Sequence, residues 1–188
     1  MTLWQVTDKG VPVAAGFVLS SRVTGRTETS ESFQTNPADV PLKPGDNAPT
    51  FAAENQDGER VVCQYDEPTV VYFYPRDDTP GCTVEAEEFD AAIDAYREAG
   101  VAVYGVSTDG VESHRDFADE YGLDFDLLAD PEGSVADAFD VPITNGAAAR
   151  TTFVVVDDQV VATYEGVHPE GHAEDVLQDL VETGIARP

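Results

Sequence analysis

Six consecutive residues, Thr69-Val70-Val71-Tyr72-Phe73-Tyr74, carry no charge in a chain where 37 of 188 residues are acidic. A β-branched and aromatic run of this length is short for a helix and too apolar for a strand with one wet face, so it reads as a strand covered on both sides. A strand of that kind needs packed layers above and below it, which points to an α/β chain. The run stops at Pro75, and Pro80 and Gly81 punctuate the loop that follows.

The flanking patterns agree. Upstream, Asp57-Gly58 between Phe51–Glu54 and Arg60–Tyr65 reads as a hairpin turn. Downstream, Phe89, Ala92, Ile93 and Tyr96 recur at helical spacing, and Gly100 supplies a stop. A strand over 101–107 and a helix over about 111–121 follow, the latter ending at Gly122. Strands over 151–156 and 160–164 are joined by Asp157-Asp158-Gln159, and Ala173, Val176, Leu177, Leu180 and Val181 stripe a closing helix. Strand, helix, strand, helix, hairpin, helix is the order of an α/β domain with helices on both sheet faces.

The segment before this domain differs in kind. Between Ser20 and Thr35, half of the residues are Ser or Thr without sustained periodicity, and a Pro-punctuated run leads to Pro44-Gly45. Residues 1–40 are therefore expected to be an irregular extension and residues 41–188 a single domain. That domain carries 7 basic and 33 acidic side chains, a net charge of −26. Such a surface lacks the clustered Lys and Arg that nucleic acids and anionic membranes require, so neither is an expected partner. With Lys9 and Lys43 its only lysines, the chain is the kind that stays soluble at high salt, where screening shortens the repulsion, and a halophilic cytoplasm is the expected setting. The apolar stretches near Val11–Leu19 and Val70–Tyr74 are too short to span a bilayer, and Pro12 interrupts the first.

Two cysteines, Cys63 and Cys82, are too few for a disulfide scaffold or a four-ligand zinc site, and no metal or other cofactor is expected. Cys82 stands where a buried strand has ended, a Pro/Gly loop has turned and a helix is about to begin. The thiolate is the nucleophilic form, and the N–H groups at a helix start stabilise it. At pH 7 a thiol of ordinary pKa near 8.5 is only about 3% ionised, whereas one lowered to about 6 is about 90% ionised. Asp77, Asp78, Glu85, Glu87 and Glu88 lie within six residues of Cys82 and act against ionisation, so something must offset them.

The run Tyr72-Phe73-Tyr74-Pro75-Arg76-Asp77-Asp78-Thr79-Pro80-Gly81-Cys82-Thr83 contains Pro75-x-x-x-Thr79-x-x-Cys82, which matches the peroxidatic motif of the peroxiredoxins. It resembles the peroxiredoxin Q subfamily, also called bacterioferritin comigratory protein. The resemblance extends over nearly all of residues 41–188, through Leu42-Lys43-Pro44-Gly45-Asp46, Gly105-Val106-Ser107-Thr108-Asp109, Leu127-Leu128-Ala129-Asp130 and Arg150-Thr151-Thr152-Phe153. It implies a thioredoxin-like fold, with a central mixed sheet, helices on both faces and an N-terminal hairpin. The implied activity is thiol-dependent reduction of hydrogen peroxide or alkyl hydroperoxides. By the family's pattern Cys82 attacks the O–O bond and becomes a sulfenic acid, Thr79 holds peroxide and thiolate, Pro75 shields the site from water, and Arg150 brings a guanidinium to the sulfur. Arg150 and the helix start are expected to offset the neighbouring acids, helped by Arg76. Glu85 reads equally as the carboxylate that aims an arginine and as an early-helix acid facing the macrodipole.

The sequence also departs from that pattern. Many peroxiredoxin Q proteins carry a resolving cysteine five residues after the first, and Glu87 stands there in this chain. Cys63, in a strand-like run, reads as a small buried hydrophobe. The expectation is a one-cysteine cycle completed by an external thiol or a thioredoxin-like protein, in a monomer or homodimer. The alternative is a redox sensor without turnover, in which Cys82 passes oxidation to a partner protein. A disulfide reductase is disfavoured, because Thr79 stands where the first cysteine of a CxxC would be. His114, His168 and His172 read as surface residues, because Pro169 and Gly171 lie between the last two and place the start of the closing helix later than His168.

Overall fold

The computed structural model describes residues 40–187, so the extension expected over residues 1–40 lies, up to residue 39, outside the described residues. The run Thr69–Phe73 forms a strand whose five residues are all buried. In chain order the elements are β1 (Phe51–Asn55), β2 (Arg60–Cys63), β3 (Thr69–Phe73), α1 (Pro80–Ala99), β4 (Ala102–Ser107), α2 (Val111–Tyr121), β5 (Asp126–Ala129), α3 (Ser134–Ala138), β6 (Ile143–Thr144), β7 (Ala147–Ala148), β8 (Thr151–Val156), β9 (Gln159–Glu165) and α4 (His172–Glu182). Seven of the strands form one mixed sheet in the order β2-β1-β5-β4-β3-β8-β9, and β6 pairs with β7 as a separate short ribbon.

β3 sits inside the sheet, parallel to β4 on one side and antiparallel to β8 on the other, so its backbone groups are paired along both edges. Alternation then sorts its side chains. Val70, Tyr72 and Tyr74 face the layer formed by α1, α2 and α4, while Val71 and Phe73 face α3 and the β1–β2 hairpin. This is the mixed sheet, covered on both faces and preceded by a hairpin, that the sequence leads one to expect, with the heavier helical layer on one side.

α1 forms because Pro80 fits the first turn, where its missing N–H costs nothing, and because Phe89, Ile93 and Tyr96 bury one face. It ends at Gly100 in the left-handed region, φ 73°, where a side chain would be strained. The ring of Tyr72 stacks on Phe89 with centroids 4.4 Å apart and fixes α1 against β3. The two-residue turn between β8 and β9 holds Asp157 and Asp158 at φ 50° and 64°, the twist that a tight hairpin needs.

β5, a four-residue strand between β1 and β4, the short α3 and the β6–β7 ribbon are elements that the sequence reading lacks, while α4 begins at His172, after Pro169 and Gly171. Cys63 is buried, at 3% exposure, in the cluster on the α3 side of the sheet, whereas Cys82 belongs to the cluster on the α1 side. Among the described residues no helix is long and apolar enough to cross a membrane.

Gly105 on β4 is registered opposite Tyr72, whose ring covers it. A Cβ at Gly105 would lie 2.7 Å from the Tyr72 hydroxyl oxygen and 2.8 Å from Leu127 Cδ2, in a region with no room to yield. Gly105→Ala is expected to destabilise the protein by about 1–3 kcal/mol, the usual cost of overpacking, read as a lower midpoint in chemical denaturation.

Candidate active site

The loop from Pro75 to Thr79 carries the chain out of β3 and into α1. Thr79 is the residue before the helix, extended at φ −96° and ψ 142°, and its side chain does not cap the helix. Its hydroxyl instead donates to the Arg76 carbonyl at 3.1 Å, and its own carbonyl accepts the Thr83 N–H at 2.9 Å, the first bond of α1. Cys82 lies in that first turn, which contains no carboxylate, and is 1% exposed. A sulfur there sits in the positive end of the helix field.

Arg150 immediately precedes β8. Because β8 runs antiparallel to β3, with Thr151 opposite Phe73, Arg150 emerges at the end of the sheet where α1 begins. Its Nη2 donates to Cys82 Sγ at 3.3 Å, and its Nη1 forms an ion pair with Glu85 Oε2. Glu85 follows Cys82 by three residues, on the same side of α1, and its side chain is fully buried. Burial, opposed by Arg150 and reinforced by Glu88, pushes the Glu85 carboxyl up to about 7. One guanidinium thus touches both the sulfur and a buried acid, and of the two readings of Glu85 the geometry fits the one in which it aims an arginine.

The structure brings Arg150 into contact with both Cys82 and Glu85. It places Thr79 and the half-buried Pro75 on the loop leading to them, with the Thr79 hydroxyl turned toward Arg76 rather than the sulfur. Arg76 is exposed and joins no ion pair among the described residues. The neighbouring acids are each accounted for. Asp78 and Glu87 point into solvent, Glu88 accepts the Gly171 N–H at 2.6 Å, and Asp77 is buried in hydrogen bonds to Tyr74, Ser113 and His114.

The histidine reading needs correction. His114 is fully buried and His172 is 4% exposed; only His168 lies at the surface. His172 Nε2 is 2.8 Å from Thr152 Oγ1, and burial, aided by Arg150 and opposed by Asp175, pushes its pKa down to about 4. The sequence did hold a signal for His114: with Phe117 and Tyr121 it falls at i, i+3 and i+7, on the apolar stripe of α2.

Comparison with known proteins extends the geometry. Residues 44–164 match the AhpC/TSA family. The chain is similar to a putative peroxiredoxin bcp of Coxiella burnetii, 33% identical over 149 residues that cover 74% of this chain and 99% of that protein. It is also similar to a chloroplastic peroxiredoxin Q of Sedum lineare, 37% identical over 142 residues, 72% of this chain and 76% of that one. Among solved structures it resembles the bacterioferritin comigratory protein of Xanthomonas campestris, studied for alkyl peroxide reduction. That match has a TM-score of 0.67 and 32% identity, and covers 71% of this chain and 91% of the other.

A carboxyl whose folded pKa lies above its unfolded one binds more protons folded than unfolded. The contribution of Glu85 to stability is therefore complete below its ordinary value of 4.5 and is lost as pH rises toward about 7. Glu85→Gln cannot titrate. Denaturation of both proteins from pH 4.5 to 7.5 is expected to show wild type losing stability relative to the variant across this window; parallel curves would contradict the assignment.

Proposed function

The chain belongs to the peroxiredoxins of the AhpC/TSA family, thiol-dependent peroxidases, and from that footing we propose that it turns over by a one-cysteine cycle centred on Cys82. The Cys82 thiolate attacks one peroxide oxygen and the O–O bond breaks. The sulfur is oxidised to sulfenic acid, and the departing hydroxide or alkoxide takes a proton to leave as water or an alcohol. An external thiol then condenses with the sulfenic acid, releasing water and forming a mixed disulfide. A second thiol displaces Cys82 and departs as the oxidised disulfide.

The observation that carries this reading is the contact of Arg150 with both Cys82 Sγ and Glu85. A planar, permanently charged fork stabilises the thiolate and meets the charge that develops on the peroxide oxygens as the bond breaks. Thr79 acts by turning its hydroxyl from Arg76 toward bound peroxide, and Pro75 limits water entry where the loop leaves the sheet. Hydrogen peroxide and alkyl hydroperoxides are uncharged, so the acidic surface does not repel them. External reduction is supported by the sheet that separates Cys63 from Cys82, by the burial that pushes Cys63 up to about 11, and by the exposed Glu87 on α1. The reductant is a small thiol or a thioredoxin-like protein, and we place the cycle in the cytoplasm, where such thiols are maintained.

Turnover of hydrogen peroxide with excess small thiol is expected in wild type and absent in Cys82→Ser. Intact-mass spectra of the oxidised wild type are expected to show one added oxygen or one thiol adduct. A Cys63–Cys82 disulfide would overturn the one-cysteine cycle, and consumption of a single equivalent without turnover would favour a sensor.

The acidic composition supports a salt-rich cytoplasm. Raising salt from about 0.1 M to about 1 M shortens the screening length from roughly 10 Å to roughly 3 Å and weakens repulsion among the acids. The thermal midpoint is expected to rise over that range; a flat response would remove the halophilic reading.

A further inference from the structure

A second buried polar cluster adjoins the site and has no part in the chemistry above. Asp77, in the middle of the β3–α1 loop, is 5% exposed, and its carboxylate gathers donors from two directions. The Tyr74 hydroxyl reaches Oδ1 at 2.8 Å, the Ser113 hydroxyl reaches Oδ2 at 2.6 Å, and His114 Nδ1 lies 2.9 Å from Oδ2. His114 Nε2 is buried with no partner among the described residues, so the ring carries its proton on Nδ1, facing the carboxylate. The backbone of the same loop is held as well. The Asp77 N–H donates to Asp109 Oδ2 at 2.8 Å, and that oxygen also accepts the Ser107 hydroxyl at 2.9 Å.

Burying a carboxylate is costly unless it is bonded on all sides. Among the described residues, three buried carboxylates are bonded to side chains of a separate element, Asp77 to His114, Glu85 to Arg150 and Asp130 to Ser134, and the first two lie in the stretch from Pro75 to Glu85. Burial alone would push the Asp77 carboxyl up, yet the donors from His114, Ser113 and Tyr74 outweigh it and hold Asp77 below its ordinary range. Apart from the Thr79 hydroxyl bonded to the Arg76 carbonyl, little in the loop fixes it from within: Asp78 sits at φ 53° and Thr79 leaves the helix uncapped.

We propose that His114, with Ser113, is a positioning residue of the peroxidase. Through Asp77 it clamps the β3–α1 loop to the start of α2, so that Thr79 and the first turn of α1 stand in register with Arg150. His114 touches no reacting atom and acts by geometry alone. A misplacement of about 1 Å in a catalytic group can cost about 100-fold in rate, so a loosened clamp is visible in kinetics.

The inference rests on the peroxidase reading and is tested within it. The Nδ2 of an asparagine overlays Nδ1 of histidine, so His114→Asn keeps a donor to Asp77, whereas His114→Leu keeps volume and loses it. With folding checked by circular dichroism, His114→Leu is expected to lower the second-order rate constant for hydrogen peroxide about 10-fold or more and to reduce the thiolate absorbance at neutral pH, and His114→Asn to restore both to within about 3-fold. In a Thr79→Val background His114→Leu should add less than about 2-fold, because it acts through the loop that Thr79 occupies. A folded His114→Leu with the wild-type rate, equal losses in the two His114 variants, or full additivity with Thr79→Val would each overturn the proposal. Should His114→Leu fail to fold, Ser113→Ala removes one donor from a half-buried position and carries the same test, with a loss of several-fold expected and an unchanged rate overturning it. Wild-type protein inert to peroxide would instead sink the peroxidase reading itself.

Discussion

The guanidinium of Arg150 is the point on which the site is assembled. One of its nitrogens holds Glu85 and the other faces Cys82, so a buried carboxyl fixes the direction of the guanidinium beside the sulfur. The fold makes this contact possible by running β8 antiparallel to β3 in the adjacent position. Run the other way, β8 would deliver Arg150 to the opposite end of the sheet, far from the start of α1. Sheet order, strand direction and the helix start therefore converge on a single side chain that must arrive from 68 residues away.

Net charge is a poor guide to the field at one atom. The domain carries a large negative excess, but interactions between exposed charges are screened within about 8–10 Å, whereas buried ones are not. What matters to Cys82 is how each nearby acid is disposed. Asp78 and Glu87 are hydrated, Glu88 is occupied by a backbone N–H of the loop before α4, Asp77 is enclosed by donors, and Glu85 is paired. An acidic exterior coexists with a guanidinium at the Cys82 sulfur because the acids near it in sequence are exposed, hydrogen-bonded or paired.

Much of this was legible in the residues, and the limits have physical causes. β3 declared itself because a strand buried on both faces tolerates no charge, and α1 because its apolar spacing is long and bounded by Pro80 and Gly100. β5 was missed because Asp-Leu-Leu-Ala is too short to show a period, and its status as a strand comes from the slot between β1 and β4. The loop motif exposed Cys82, Thr79 and Pro75 together, while Arg150 came from the family pattern rather than from anything local. The clamp around Asp77 was invisible because its partners lie more than thirty residues away on α2 and after β4. A lone Asp in a loop and a lone His on a helix look ordinary until the fold joins them.

The two sulfurs occupy opposite sides of the sheet. Under the one-cysteine cycle proposed above, an oxidised Cys82 would have no internal thiol to rescue it, and each cycle would become a race between an arriving reductant and a second oxidant that carries the sulfur to the irreversible sulfinic state. Cys63, sealed beneath the other face, would take no part. Working lifetime would then be governed by the concentration ratio of thiol to hydroperoxide in the surrounding medium rather than by any safeguard among the described residues.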